Sequence, residues 1–457
     1  MGCFIPNFAL GVDFLQSLPS EFLSRMQKLL GEAYAAFVEC YAVPALKGVR
    51  LNPLKCTAAT LREYLPFSLA PAPFSPLSYY IDAAEKVGAL PLHHAGAFYA
   101  QEPSAASAVT VLAPQAGNKV LDLCAAPGGK ATQIASLLDG TGLIWANEVV
   151  RSRANILLSN MERLGVRNGI VSSCHPAVLC EKLAGFFDKV LVDAPCSGEG
   201  MFGRDPQAVV DWSVAHVQTC AMRQAAILDC AAQAVKTDGV LVYSTCTFAK
   251  EENEDTVLAF LQRHPEFVLE DCGVSFGRPG IGLPQTRRIY PMDGGAGHFV
   301  AKLRRVEENL CTVAPFALPK RQNIDPAHAL LEELMQIPWE GKILRLEQNF
   351  FLLPEELPVF QGLGVLRAGI LLGEQRQNRV EPAHALFMAA RPQDLRQTVT
   401  FAPNDPELLR FLKGEELAAP SGAKGYVGVA VADVITSFGK CAGGRLKNKY
   451  PKGLRNF

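Results

Sequence analysis

The sequence predicts an α/β protein whose core is a doubly wound, mainly parallel β-sheet, and three observations carry that prediction. Between residues 119 and 264, short charge-poor hydrophobic runs alternate with longer segments of helical periodicity. The runs are nearly continuous in apolar residues, the pattern of strands covered on both faces. A glycine-rich turn joins the first run to the first helical segment, where an open α/β sheet brings backbone close to a ligand.

The elements follow in order. From Leu18 to about Tyr41, Leu, Phe and Met recur at three- and four-residue steps, which predicts an amphipathic helix with Ser20 as N-cap. This helix opens a small N-terminal domain, residues 1–95. Residues 66–114 are rich in Pro and Ala and read as a linking region running into "GAFYAQEPSA" at 96–105. The core domain is assigned to 96–307. Its strands are "KVLDL", "GLIWANE", "GIVSS", "DKVLVDA" and "GVLVYST", and its helices include "GKATQIASLLD", "VRSRANILLSNMERLG" and "HVQTCAMRQAAILDCAAQAVK". In the second of these helices Ile156, Leu157 and Leu164 are expected to share a buried face. "EENEDTVLAFLQRH" adds a helix and "GHFVAKLRR" a closing strand, completing a Rossmann-like core. An intermediate region, 308–394, and a second small α+β domain, 395–457, complete the chain, with no internal repeat.

Composition narrows the function classes. With 49% hydrophobic and 19% charged residues in 457, the chain is that of a globular protein, and no apolar run reaches the roughly 18–20 residues of a bilayer span. "MGCFIP" resembles an acylation start, but Pro6 stands where Ser or Thr is required, so lipidation is not expected. Thirteen cysteines, without a C-x-x-C pair or a Cys/His cluster at metal-ligand spacing, indicate free thiols in a reducing cytoplasm and no bound metal. The formal net charge is only −1, yet the last 21 residues carry six Lys or Arg and no acid. That local charge, with Tyr450 among the basic residues, suits a nucleic-acid backbone; a solvated tail is the plain alternative. "RRIYP" at 287–291 is a second basic candidate.

Two kinds of motif lie at the carboxyl ends of the strands, the ligand edge of an open α/β sheet. The first is the turn Cys124, Ala125, Ala126, Pro127, Gly128, Gly129 and Lys130, which matches neither the dinucleotide nor the triphosphate glycine pattern. Glu148, at the end of the next strand, is placed to accept hydrogen bonds from both hydroxyls of a ribose, or is a solvated loop acid. A carboxylate-tolerant loop beside an acid for ribose suits S-adenosylmethionine, which carries no phosphate. The second kind is a pair of cysteines: "VDAPCSGEGMF" delivers Asp193 and Cys196, and "VYSTCTF" delivers Cys246. A cysteine at that edge can act as a nucleophile, whereas Cys220 and Cys230, in mid-helix, read as inert.

"LDLCAAPGGKA", "NE", "VDAPCSGEGMF" and "YSTCTF" followed by "EEN" stand in the order and spacing of the Sun-type RNA (cytosine-5) methyltransferases, and the chain resembles that family. The resemblance extends to "FYAQEPSA" and "GHFVAKL". The two ends, "LPSEFLSRMQKLLGEAYAAF" and "FGKCAGGRLKNKYPKGLR", are similar to the RsmF-type branch that acts on 16S ribosomal RNA, which implies an RNA-binding N-terminal domain and a C-terminal PUA-like domain. It also implies S-adenosylmethionine as cofactor, RNA as partner, a monomer, and a cytoplasmic place of work. In the roles the resemblance implies, Cys246 attacks C6 of cytosine, Cys196 serves the elimination, and Asp193 contacts the base and lies beside the donor. The loop 124–130 surrounds the methionine moiety, Glu148 holds the ribose and Arg153 lies nearby. The family's acid or amide at the adenine edge is missing here, leaving Ser173 or His175. Alternatives are a transfer RNA substrate, a catalytically silent RNA-binding assembly factor, and a DNA methyltransferase, against which the cysteine of "STCTF" argues.

Overall fold

The computed structural model describes residues 12–455 apart from Asn378, so the acylation-like start at Gly2 lies outside the described residues. The expected single N-terminal helix is two, Ser20–Leu30 and Tyr34–Glu39, broken where Gly31 takes a positive φ of 53°. Ser20 is the first helical residue and caps nothing; Pro19 occupies the cap position. The apolar faces of these helices bury Phe22, Met26 and Phe37 against Phe202, Trp212 and Phe248, residues of the loops that follow two core strands.

Residues 66–114 are not a linker. β1 (Lys47–Leu51), β2 (Ala70–Pro71), β3 (Ser78–Ile81) and β4 (Phe98–Ala100) form an antiparallel sheet in the order β2-β3-β1-β4, so the Pro- and Ala-rich stretch supplies strands. Pro71 is accommodated because β2 is a two-residue edge strand, a position with no inner ladder to break.

The core strands β5 (Lys119–Asp122), β6 (Leu143–Asn147), β7 (Gly169–Ser172), β8 (Phe187–Asp193) and β9 (Val235–Thr245) are parallel in the order β9-β8-β5-β6-β7. Alternate side chains serve two cores. Leu121, Trp145, Ile170, Val190 and Leu241 face one layer, while Val120, Ile144, Val171, Leu191 and Val242 face the other. This is why the strands read as unbroken hydrophobic runs. On the helix Arg151–Arg163 the buried face is Ala154, Leu157 and Met161; Ile156 is 53% exposed, because it lies one residue, about 100° of helical rotation, from Leu157. Leu164 is buried just past the helix end.

The sheet is larger and more mixed than a parallel core. β10 (Phe267–Glu270), β11 (Arg278–Pro279), β12 (Arg287–Ile289) and β13 (His298–Arg305) extend it antiparallel beyond β9. Farther along, β14 (Ile343–Leu346), β15 (Asn349–Leu352), β17 (Ile370–Arg376) and β18 (Arg379–Pro382) make a separate sheet, whereas the intervening β16 (Val365–Ala368) pairs with β7 and closes the core's opposite edge.

The C-terminal sheet, β19 (Thr398–Phe401), β20 (Leu417–Ala418), β21 (Gly425–Val431), β22 (Val434–Ala442) and β23 (Arg445–Asn448), absorbs most of the basic end of the chain. Tyr450 is 2% exposed and hydrogen-bonds His94 Nδ1 at 3.1 Å, so it is a packing residue and offers no stacking face. Arg445, Lys447, Lys449 and Lys452 remain exposed. Among the described residues no helix is long and apolar enough to cross a membrane.

Candidate active site

Parallel register brings the two cysteine loops together. Asp193 of β8 pairs with Ser244 of β9, so the residues three and two positions on, Cys196 and Cys246, leave the sheet side by side. Their sulfurs lie 3.0 Å apart, and the Cys246 N–H donates to Cys196 Sγ at 3.3 Å. The hydrogen bond to Cys246, together with burial, pushes the Cys196 thiol well above the usual range. Cys196 therefore keeps its proton. Asp193 is held through both oxygens, Oδ1 by the Ser244 hydroxyl and Oδ2 by Lys130 Nζ, each at 2.7 Å. Burial opposes the Lys130 charge, but the Asp193 carboxylate holds its ammonium above the ordinary lysine range. Lys130, expected beside the donor, is thus anchored on the acid.

Beneath the thiols lies a buried network that sequence reasoning missed. Glu252 accepts from the Ser197 N–H at 3.0 Å, from the Ser197 hydroxyl, and from Gln224 Nε2 at 2.7 Å. Glu199 accepts from Thr247 Oγ1 at 2.9 Å, the Phe248 N–H at 2.8 Å and Trp212 Nε1 at 3.0 Å. Each carboxylate joins the loop after β8 to the loop after β9, fixing the cysteines relative to one another. Burial raises the pKa of both acids, against the hydrogen bonds they accept. For Glu199 the signal was present in "GEGMF", an acid inside an otherwise uncharged turn, whereas Glu252 is hidden among the charges of "KEENED".

The glycine turn faces the same edge. Gly128 has φ +116° and would place a Cβ 3.2 Å from Leu157, so only glycine suits the tight approach. Its carbonyl chain is tethered from outside: Asn160 Nδ2 donates to Pro127 O at 2.8 Å and Arg153 Nη2 to Ala126 O at 3.1 Å. From the N-terminal domain, Arg50, only 2% exposed, bonds the Gly129 carbonyl and Thr132 Oγ1. Cys124 and Ala125 complete the turn, and burial with the nearby Asp122 pushes the Cys124 thiol far up. Glu148 is 3% exposed, accepts the Val150 N–H at 3.0 Å and pairs with Arg153 at 3.2 Å.

Asp122, at the end of β5, was not singled out from the sequence. It is fully buried, and neither oxygen accepts a hydrogen bond of normal geometry. Burial, reinforced by the Asp193 charge and opposed by Lys130, pushes its carboxyl up to about 8. A buried carboxyl beside a glycine cradle, which an incoming cation would ionise, with Glu148 across the turn, fits a ligand bearing an ammonium group and a ribose, as S-adenosylmethionine does. At the third strand, His175 caps the helix Pro176–Lys182, its Nδ1 accepting the Ala177 N–H at 3.3 Å. Ser173 Oγ donates to Val149 O at 3.2 Å, one residue from Glu148.

Of the basic candidates in "RRIYP", Arg288 is buried in an ion pair with Glu254, and Arg287 is spent on the carbonyls of Val274 and Pro284. Neither is offered to a partner in the way the sequence suggested. Among the described residues no group of three or more His, Cys, Asp or Glu could hold a metal ion.

Comparison with known proteins matches four segments of the chain to family models. Residues 109–304 match the model of the 16S rRNA methyltransferase RsmB/F family, 18–103 the N-terminal domain of 16S rRNA methyltransferase RsmF, 326–389 the first C-terminal domain of RsmF and 398–456 its PUA domain. Ribosomal RNA small subunit methyltransferase F of Vibrio cholerae is 32% identical over 469 residues, covering 96% of this chain and 98% of the relative. Its counterpart in Cronobacter sakazakii is 31% identical over 486 residues, covering 96% of each. A crystal structure of a methyltransferase homologue from Pyrococcus horikoshii aligns at TM-score 0.57 with 28% identity, covering 65% of this chain and all of that one. An NSun6 structure from the same organism shares the fold at TM-score 0.58 and 24% identity, covering 64% of this chain and all of that one. The two thiols, the anchored acid and the four matched segments lead to one conclusion: the chain belongs to the RsmF family of 16S ribosomal RNA methyltransferases.

Proposed function

We propose that the protein transfers a methyl group from S-adenosylmethionine to C5 of a cytosine in small-subunit ribosomal RNA, with Cys246 as the covalent nucleophile. The observation that carries this reading is the pair of sulfurs 3.0 Å apart beside an anchored Asp193 at the ligand edge of the sheet. C5 of cytosine is a poor nucleophile. Addition of the Cys246 sulfur to C6 makes C5 enamine-like, splitting one hard step into two easier ones. Asp193, fixed by Lys130 and Ser244, accepts a hydrogen bond from the N4 amine and steadies the ring as charge shifts during attack. S-adenosylmethionine, held by the 124–130 turn, Asp122, Glu148 and Arg153, supplies an electrophilic methyl group. The C5 proton then passes to water at the site, the C6–S bond breaks and the Cys246 sulfur leaves as a thiolate, a step that Cys196 serves from 3.0 Å away. Attack at C6 requires the cytosine to leave its stack, so the target is an unpaired or opened RNA site. The N-terminal and PUA domains supply further RNA-binding surface, and the protein acts as a monomer.

The test separates the cysteines by step. Cys196→Ala forms the C6 adduct and accepts the methyl group but does not release, so enzyme accumulates covalently on methylated RNA as a band that survives denaturation and disappears with RNase. Cys246→Ala and the double variant give no band. A trapped species with Cys246→Ala instead would reverse the assignment.

A further inference from the structure

Beside the nucleophile's loop lies a cavity of about 380 Å³ that the mechanism above does not use. Its wall includes Gly200, whose N–H donates to the Cys246 carbonyl at 2.9 Å, so the cavity adjoins the reacting cysteine through one peptide. Most of the lining is apolar or backbone, and Val43 and Leu46 at its margin are 58% and 41% exposed. The charged exception is Arg204. Its Nε and Nη2 are shut off from solvent with no hydrogen-bond partner among the described residues. The nearest acid by charge, Glu102, is already committed to Ser104, Ala105 and Ala296. Two guanidinium nitrogens withdrawn from water without a partner are costly, and the compensating partner is an anion with several acceptor oxygens.

Building on the RNA reading, we propose that this cavity seats the nucleotide adjoining the target cytosine, its phosphate on Arg204 and its base against the apolar margin at Val43 and Leu46. A flipped cytosine at Cys246 carries its neighbour along the same backbone, and Gly200 lies between the two positions. Contact through phosphate and an apolar wall tolerates any base, so the subsite grips the strand without reading its sequence.

The test uses the full-length enzyme, labelled S-adenosylmethionine, and small ribosomal subunits from a strain lacking the enzyme. Arg204→Ala raises the KM for subunits about 10- to 100-fold, the loss of one charged hydrogen-bonded contact, with donor affinity unchanged. It also reduces the slope of log kcat/KM against log salt by about 0.7, the value for one phosphate of a single strand. Arg204→Lys recovers most of the loss. Leu46→Glu, on the exposed margin, raises KM without touching the interior. An Arg204→Ala enzyme with unaltered KM and salt slope, while wild type methylates subunits, overturns the subsite and leaves the function standing. Should Arg204→Ala lose donor binding through misfolding, Leu46→Glu decides, and an unchanged KM there overturns the subsite. If wild type transfers no methyl to subunit RNA, the functional reading falls and this inference with it.

Discussion

Asp122→Asn should stabilise the free protein at alkaline pH and weaken its hold on the methyl donor. Folded, the buried carboxyl keeps its proton up to about pH 8; unfolded, it ionises near 3.8. The folded chain therefore binds the extra proton across that interval, and stability falls as pH rises from about 4 to 8. Between pH 5 and pH 8.5 the loss is at most about 4 kcal/mol at 1.36 kcal/mol per tenfold; relaxation and water penetration reduce it to about 2 kcal/mol. Asparagine keeps the shape and removes the charge, so its advantage over wild type should grow by that amount between the two pH values. For a core of this size the difference is about 4–8 °C in melting temperature. The same substitution removes the acid proposed to meet the donor's ammonium, and Kd for S-adenosylmethionine should rise about 10- to 100-fold. Thermal melts of both proteins at pH 5 and pH 8.5, with calorimetric titration of the donor, give both numbers. A melting difference that does not change with pH would refute the buried-charge argument, and an unchanged Kd would remove Asp122 from the donor site.

Lys130→Met should cut methyl transfer at least about 100-fold while leaving donor Kd within about threefold, because its ammonium is spent on Asp193; single-turnover rates and donor titration separate the two. Glu252→Ala leaves the Ser197 N–H, the Ser197 hydroxyl and the Gln224 amide without their acceptor. At about 1–3 kcal/mol for each stranded group, the total is about 3–5 kcal/mol once the site relaxes, read as a lowered melting temperature with activity lost alongside. Replacing Lys447, Lys449 and Lys452 together by Glu should weaken RNA binding and flatten its logarithmic salt slope by about 2, with donor affinity unchanged; an unaltered slope means that face is merely solvated. Truncation from Ser437 does not ask the same question, since it removes most of β22 and all of β23 and so unfolds the sheet.

Local sequence determined the parallel core, because runs buried on both faces and glycine turns at the ends of strands carry their pattern within a few residues. It also located the three groups proposed for the chemistry: Asp193, Cys196 and Cys246 follow directly from where two hydrophobic runs stop. Tertiary structure alone decided what those groups touch. The 3.0 Å approach of the sulfurs depends on the register between β8 and β9, whose paired residues lie some fifty positions apart. The partner of Lys130 across the edge, the carboxylates joining the two loops, and the orphaned state of Asp122 likewise arise from residues distant in sequence. The same distance explains the misread segments. Tyr450 looks like part of a basic tail that meets nucleic acid until His94, 356 positions earlier, is found against it. The Pro-rich stretch looks like a linker until β1 pairs with β3 and β4. Periodicity and turn chemistry are local properties and can be read along the chain, whereas burial, pairing and charge compensation are relations between distant segments and exist only once the chain has folded.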